Sequence, residues 1–175
     1  MHSFSDEEVE RYARHLVLRE VGGPGQQALK AARVLIVGAG GLGSPAALYL
    51  AAAGVGTLCL ADPDTASLSN LQRQVLYTTA DIGRPKVAAA ADRLSALNPD
   101  IVVETHALAL TRDNAASIVS DYDLVLDGTD DFSTRFAVNA ACVCEGKTLI
   151  SGALGRWAGQ VGVFKGHPCY RCLVP

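Results

Sequence analysis

The chain has 175 residues, of which 49% are hydrophobic and 19% are charged, and this composition predicts one globular domain with a full core. A net charge of −3 argues against general affinity for nucleic acid or for an anionic membrane, so a bound polyanion must be held by locally placed cations. The apolar stretches are interrupted before about 18 residues and the N-terminus is acidic, so we expect no spanning helix, no signal peptide and a cytoplasmic location.

The first predicted element is a helix of about 14 residues that begins after Ser5. Ser5 and Glu8 have the spacing of a capping box, in which each side chain bonds the other residue's backbone N–H. Apolar residues then recur at helical spacing, at Val9, Tyr12, Ala13 and Leu16. Arg14 falls on the polar face of this helix. Residues 22–25, Gly-Gly-Pro-Gly, predict a break before a short helix over 26–31.

Residues 34–53 predict a strand, a glycine turn and a helix. Four apolar residues lead into a G-x-G-x-x-G pattern formed by Gly38, Gly40 and Gly43, with Gly41 inside it. Glycines at this spacing allow a tight turn, close approach of the backbone to a phosphate, and close packing of helix on strand. The helix that follows directs free N–H groups at the turn, so the segment is suited to an anion.

A second strand is predicted over 57–61 and ends at Asp62, 19 residues after Gly43. That spacing is typical of a carboxylate that binds a ribose hydroxyl, and at this point a nicotinamide-dependent enzyme fits as well as an ATP-dependent one. The polar segment that follows contains Asp64, Asn70 and Arg73, where dehydrogenases commonly run directly into a helix.

Lys86 lies in the first turn of the next predicted helix, which ends at Asn98-Pro99. A lysine there opposes the helix dipole and therefore indicates an anionic partner nearby. Further along the chain, a strand over 124–126 delivers Asp127 and Asp130 at its carboxyl end.

The remaining elements alternate between strand and helix. Strands are predicted over 101–105, 148–150 and 160–165, helices over 112–119 and 132–144, and a loop over 151–158. This order predicts an α/β fold: a Rossmann-like, doubly wound, mainly parallel sheet with an extra N-terminal helix. We divide the single domain into a helical arm (1–32), the Rossmann-like core (33–165) and a tail (166–175). The ligand crevice of such a sheet lies at the carboxyl ends of its strands, which brings the candidate residues together.

Several motifs occur in one order and together resemble the ThiF/MoeB/HesA family, bacterial relatives of ubiquitin-activating enzymes. They are the glycine loop, Asp62-Pro-Asp64, Ser69-Asn-Leu-Gln-Arg-Gln74, Gly83-Arg-Pro-Lys86, Asp127-Gly-Thr-Asp130 and Cys169-Tyr-Arg-Cys172. The resemblance runs from about Arg11 to the last residue. Arg11-Tyr-Ala-Arg14 and the Arg-Cys-Leu ending are most similar to the branch that serves molybdopterin synthase.

The resemblance implies an ATP-dependent adenylyltransferase that releases pyrophosphate. Its substrate would be the C-terminal glycine carboxylate of a small ubiquitin-like sulfur-carrier protein ending in Gly-Gly, in molybdopterin or thiamine biosynthesis. The resemblance also assigns the residues: phosphate contacts to Arg14, Arg73 and Lys86, ribose to Asp62, Mg²⁺ to Asp130, and further nucleotide contacts to Asp64, Asn70 and the glycines at 38, 40, 41 and 43. It further implies a homodimer in which Arg14 reaches the neighbouring subunit's ATP.

Each assigned residue also has an ordinary structural interpretation. Asp62 could cap the loop after its strand, and Asp130 could be the N-cap of the helix that begins at 132. Arg73, Lys86 and Arg14 could be solvated surface charges.

The five cysteines, an odd number, argue against a secreted disulfide framework. Cys59, Cys142 and Cys144 lie in predicted elements and are expected to pack as small apolar side chains. Cys169 and Cys172 resemble the first half of the family's zinc site, but a second C-x-x-C is absent, so we expect an incomplete site and a C-terminally truncated chain. The pair could be empty, completed weakly by His167 and water, or shared between two chains.

Two other functions stay open on the sequence alone. One is an NAD(P)-dependent oxidoreductase, against which the lack of a second, substrate-binding domain argues. The other is a truncated, non-catalytic module that binds a nucleotide or the carrier.

Overall fold

A computed structural model gives the fold and describes residues 4–174. The strands are β1 (Arg33–Val37), β2 (Thr57–Ala61), β3 (Val102–His106), β4 (Leu124–Asp127), β5 (Thr148–Leu154) and β6 (Gly159–Phe164). The helices are α1 (Asp6–Arg11), α2 (Ala13–Leu16), α3 (Gly22–Ala31), α4 (Gly43–Ala53), α5 (Lys86–Leu97), α6 (Ala115–Val119), α7 (Phe132–Cys144) and α8 (Tyr170–Leu173). Two short 3-10 helices cover Leu68–Asn70 and Thr79–Asp81.

The strands form one sheet in the order β3-β2-β1-β4-β5-β6. All neighbours are parallel except β5 and β6, which form an antiparallel hairpin. The predicted Rossmann-like, doubly wound fold is therefore confirmed. The chain order reverses between β1 and β4, and a parallel sheet of this kind opens its ligand crevice at such a switch point.

Alternate residues of the central strands supply two separate cores, one on each face of the sheet. Ile36 and Leu60, fully buried, face the layer formed by α4 and α5. Leu35 and Cys59, also fully buried, face the layer formed by α6 and α7. The period-2 alternation of a strand places successive side chains on opposite faces, so a strand buried on both sides reads as a continuous apolar run.

The N-terminal arm packs against the ends of α4 and α5, on the side of the sheet that lies far from the switch point. The predicted capping box is present, because Glu8 N donates to Ser5 Oγ and Ser5 N donates to a Glu8 carboxylate oxygen. The predicted single helix is wrong: it breaks at Tyr12 into α1 and α2. The break turns Tyr12 inward, where its ring lies against Gly54 and its hydroxyl accepts from Asn98 Nδ2 at 2.9 Å.

Three boundaries differ from the sequence prediction by three or four residues, and each difference has a physical reason. The helix α3 starts at Gly22 instead of residue 26, because a proline in the first turn lacks only an N–H that would be unpaired there. Residues 151–154, expected in a loop, extend β5 because they pair with the antiparallel strand β6. The helix α6 starts only at Ala115, because Asn114 Oδ1 accepts from Thr111 N and holds the preceding residues in a turn.

Cysteine packing agrees with expectation at two positions out of three. Cys59 and Cys142 are buried, and burial raises the pKa of their thiols to about 11 and about 12. Cys144 is exposed, so its predicted packing role is wrong. None of the helices formed by residues 4–174 is long and apolar enough to cross a membrane.

Candidate nucleotide-binding site

A cavity of about 770 Å³ opens at the carboxyl ends of β1, β2 and β4. Its walls include most of the residues that the sequence singled out, namely Gly38, Gly40, Gly41, Asp62, Asp64, Asn70, Arg73, Lys86 and Asp130. Residues separated by up to 92 positions in the chain, from Gly38 to Asp130, thus share one site. A volume of this order is typical of a small-molecule or cofactor pocket.

Close backbone contacts explain two glycines of the turn. Gly38 has φ +87°, a conformation that side chains other than glycine rarely adopt, and it lies against Gly128 of the loop after β4. A Cβ atom on Gly43 would lie 1.8 Å from the carbonyl oxygen of Gly38, so only glycine fits where α4 begins. The turn is held from outside by Tyr77, whose hydroxyl donates to the Ala39 carbonyl at 2.8 Å.

Asp62 holds the glycine turn to the end of β2. One carboxylate oxygen accepts from Ala39 N at 2.8 Å and the other from Asp64 N at 2.9 Å. The side chain is buried, and each oxygen keeps further lone pairs for a ligand. The loop-capping interpretation is therefore present in the structure, and a ribose contact would be added to it.

Lys86 is buried at the start of α5, which rules out the interpretation that it is a solvated surface charge. Its Nζ atom donates to Asp64 Oδ2 at 2.8 Å and lies 3.9 Å from Asp62 Oδ1. Arg73, in contrast, is exposed, and its stem passes along Gly41, where a Cβ atom would lie 3.5 Å from Cδ. Lys86 and Arg73 therefore reach the cavity from two different segments of the chain.

Asp130 is an exposed carboxylate on the cavity wall and makes no hydrogen bond or ion pair within residues 4–174. The helix α7 is capped by Asp131 instead, whose side chain accepts from Thr134 N at 2.7 Å. That backbone N–H lowers the pKa of Asp131. The N-cap interpretation of Asp130 is wrong, and an uncommitted oxygen ligand in this position fits Mg²⁺.

Sequence reasoning missed Arg135 and the apolar part of the cavity. Arg135 is buried and forms an ion pair with Asp127, Nε to Oδ2 at 3.2 Å. The same signal that pointed to Lys86, a cation in the first turn of a helix, was available for it. Leu108 and Phe132 give the cavity a hydrophobic side, and no motif indicated them.

Arg14 is not brought to the cavity of its own chain. It is exposed on α2, two residues beyond Tyr12, which contacts Gly54 at the end of α4. The 11 residues of α4 separate Gly54 from the glycine turn by about 16 Å.

The tail forms a separate cluster of ligand atoms. Those of His167, Cys169 and Cys172 all lie within 4.8 Å of one another. The two sulfur atoms are 3.9 Å apart, and Asn139 Nδ2 donates to Cys169 Sγ, which lowers the pKa of that thiol. Three ligands of this type suit zinc but leave one position of a tetrahedral structural site unfilled.

The sequence matches the ThiF family over residues 12–175. It is 49% identical to the sulfur carrier protein adenylyltransferase of Thermus thermophilus, with 98% of this chain and 66% of that protein aligned. It is 49% identical to the molybdopterin-synthase adenylyltransferase of Escherichia coli, over 99% of this chain and 71% of that protein. It is 52% identical to the probable adenylyltransferase/sulfurtransferase MoeZ of Mycobacterium tuberculosis, over 93% of this chain but 41% of that protein.

A solved structure shows the same fold with a nucleotide. The E. coli tRNA N6-threonylcarbamoyladenosine dehydratase TcdA in complex with ATP aligns with a TM-score of 0.84 and 30% identity. The alignment covers 90% of this chain and 65% of that one. The chain thus spans from about two fifths to about seven tenths of the length of these four proteins.

Proposed function

The chain belongs to the ThiF family, and we propose that it transfers AMP from ATP to the C-terminal carboxylate of a small ubiquitin-like sulfur-carrier protein ending in Gly-Gly. The observation that carries the proposal is the convergence of the glycine turn, Arg73, Lys86 and Asp130 on one cavity. The names of the Thermus and E. coli relatives support the substrate class. The E. coli relative favours molybdopterin biosynthesis over the thiamine pathway.

In this proposal ATP lies across the switch point of the sheet. The backbone N–H groups of the glycine turn and the start of α4 bind phosphate oxygens. The ribose hydroxyls face the acids after β2, Asp62 and Asp64, and the base packs on the hydrophobic side formed by Leu108 and Phe132. The stem of Arg73 runs along Gly41, and in this proposal its guanidinium contacts the phosphates.

The proposed reaction requires a site that positions the two reactants and neutralises their negative charge. A carboxylate oxygen of the carrier attacks the α-phosphorus, the bond from that phosphorus to the bridging oxygen of the β-phosphate breaks, and pyrophosphate leaves. Both reactants are anions, so Lys86 and Arg73 lower the repulsion and stabilise charge that develops on the phosphates. Asp130 would hold Mg²⁺, which supplies further neutralisation of the phosphate oxygens. No covalent nucleophile of this chain is needed.

In this proposal Arg14 contributes to a nucleotide site only from a second copy of the chain. Because α4 separates the arm from the glycine turn by about 16 Å, the guanidinium cannot serve the cavity of its own chain without undocking Tyr12. An isologous homodimer would bring each arm to the partner's cavity, as two-fold symmetry requires of both sites at once.

Pyrophosphate exchange into ATP, measured with a carrier protein ending in Gly-Gly, tests the proposed function. We expect carrier-dependent exchange that falls by about 10²-fold in Arg73→Ala, since the loss of one preorganised charge commonly has that effect. Arg93→Ala, which removes an exposed arginine of α5 outside the cavity, is the matched control. Tighter binding of NAD than of ATP in calorimetry would support an oxidoreductase, and ATP binding without exchange would support a non-catalytic module.

A further inference from the structure

Arg135 is a buried cation near the start of a helix, where the helix dipole disfavours positive charge. Its side chain is 5% exposed and projects from the first turn of α7, where the helix dipole presents its positive end. A buried guanidinium is destabilising unless its donors are paired. The partners that pair it therefore indicate what the residue is for.

Those partners come from four different segments. Nε lies 3.2 Å from Asp127 Oδ2 at the end of β4, and Nη2 donates to the Gly152 carbonyl of β5 at 2.9 Å. The same Nη2 donates to the carbonyl of Thr129, in the loop that leads to Asp130. On the other side the guanidinium lies 5.5 Å from the ring centroid of Tyr170, whose hydroxyl accepts from Nη1 at 3.4 Å.

Thr129 is fixed by this arrangement on both sides of its backbone. Its N–H and hydroxyl donate to Asp127 Oδ1 at 3.0 Å and 2.6 Å, while its carbonyl is held by Arg135. Asp131, two residues later, is fixed as the N-cap of α7. Asp130 is the residue between these two anchors, and its own carboxylate is uncommitted.

We propose that Arg135 is a positioning residue that holds the loop of residues 128–131 so that Asp130 presents its carboxylate to the Mg²⁺ of bound ATP. The inference rests on the proposed function and assigns a role to a residue of the cavity wall whose hydrogen bonds and ion pair, among residues 4–174, are made with protein groups. The shape of the guanidinium is essential, because only a planar fork can serve Asp127, Thr129 and Gly152 together. A lysine keeps the charge opposite Asp127 but releases the loop.

The direct test is the Mg²⁺ dependence of ATP binding in the full chain, measured by calorimetry for the parent and for Arg135→Lys. We expect the half-saturating Mg²⁺ concentration to rise by about 10-fold or more, the usual effect of losing a residue that orients a metal ligand. Binding of metal-free ATP should match the parent. An unchanged Mg²⁺ dependence in the folded variant would overturn the proposal.

A matched control exists at the opposite end of the sheet. Arg33, the first residue of β1, also pairs with a carboxylate, Glu104, and also lies over a tyrosine ring, Tyr122, at 5.3 Å. Arg33→Lys removes the same fork far from the cavity, from a side chain that is 40% exposed where that of Arg135 is 5% exposed. It should leave the Mg²⁺ dependence as in the parent, and an equal shift in both variants would mean that the effect is general loosening of the fold.

A double-mutant cycle separates positioning from general stability. If Arg135 acts through Asp130, Arg135→Lys should cause no further loss of Mg²⁺ affinity in the Asp130→Asn background. Additive losses would overturn the proposal. Should Arg135→Lys fail to fold, Asp127→Asn combined with Arg135→Gln replaces the whole ion pair by a neutral one and makes the same prediction. A parent that binds MgATP but exchanges no pyrophosphate would refute the proposed function while leaving this comparison intact.

Discussion

Lys86 donates to Asp64 Oδ2 at 2.8 Å, and the two partners differ sharply in exposure: the lysine side chain is 6% exposed and that of Asp64 is 65% exposed. The ammonium is therefore fixed inside the cavity by an acid that reaches it from solvent. In the proposed function, a phosphate of ATP would replace Asp64 as the partner of Lys86 without moving the lysine. The ion pair would then keep the cation in position before the nucleotide binds.

Replacement of Lys86 by Met should lower pyrophosphate exchange by about 10²-fold or more, because the positive charge near the phosphates is lost while the buried stem is kept. Arg84→Met is the control, since Arg84 pairs with Asp81 and Asp92 outside the cavity. Circular dichroism checks that both variants fold. Near-parental exchange in folded Lys86→Met would show that Lys86 has no part in the chemistry.

The glycines of the turn should separate into structural and ligand-facing positions. Gly43→Ala forces a Cβ atom to within 1.8 Å of the Gly38 carbonyl oxygen, so we expect loss of the fold or destabilisation of about 3 kcal/mol or more. Gly40→Ala brings its Cβ only to an ordinary 3.5 Å from Gln74 Nε2, so it should fold normally and lose affinity for ATP. Thermal unfolding and calorimetry measure the two effects, and a stable Gly43→Ala protein would contradict this assignment.

The order of strands and helices can be predicted because most elements carry a signal in their own residues. The β1 segment, the turn and α4 are specified by a continuous apolar run, glycines at fixed spacing and an Ala/Leu-rich stretch, and each was placed correctly. Pairing with another strand is not visible in a segment's own residues, and so the sequence predicts a loop over 151–154 although these residues pair with β6. The small side chains there gave no strand signal of their own.

The sequence predicts which residues belong to the candidate site, but it does not predict how deeply each of them is buried. Sequence order and topology brought Arg73, Lys86 and Asp130 to one edge, but burial depends on the packed neighbours of each residue. Lys86 is buried while Arg73 is exposed, although both are cations near the end of a loop. Arg135 carries the same first-turn signal as Lys86, but its role could not be predicted because its partners lie from 6 to 35 residues away and no spacing rule connects them.

Acid should weaken the docking of the arm through Glu8, which pairs with Lys30 and bonds Ser5 N. The Lys30 hydrogen bond, followed by the Ser5 backbone bond, lowers the pKa of Glu8 below its ordinary value of 4.5. A lowered pKa means stabilisation that is complete above 4.5 and is lost as the pH falls through the folded-state value.

Glu8→Gln should therefore lower the free energy of unfolding by about 1 kcal/mol at neutral pH, where the Lys30 pair is lost, and by little in acid, where the parent has lost it too. Urea unfolding at about pH 7 and at an acid pH well below 4.5 measures both values. Glu10→Gln, which changes an exposed acid of the same helix, is the control. The same deficit at both pH values would mean that the charge of Glu8 is not what matters.

The position of Arg14 leads to a test by mixing subunits. Because the arm docks beyond the far end of α4, Arg14 serves a partner's cavity or none. Arg14→Ala and Asp130→Ala chains should each be inactive alone. In a heterodimer of the two, the cavity that keeps Asp130 receives an intact Arg14 from the other chain, so up to about half of the parental exchange activity should return. The second cavity lacks both residues and stays inactive. If heterodimers demonstrated by mass spectrometry remain inactive, Arg14 does not act across the interface.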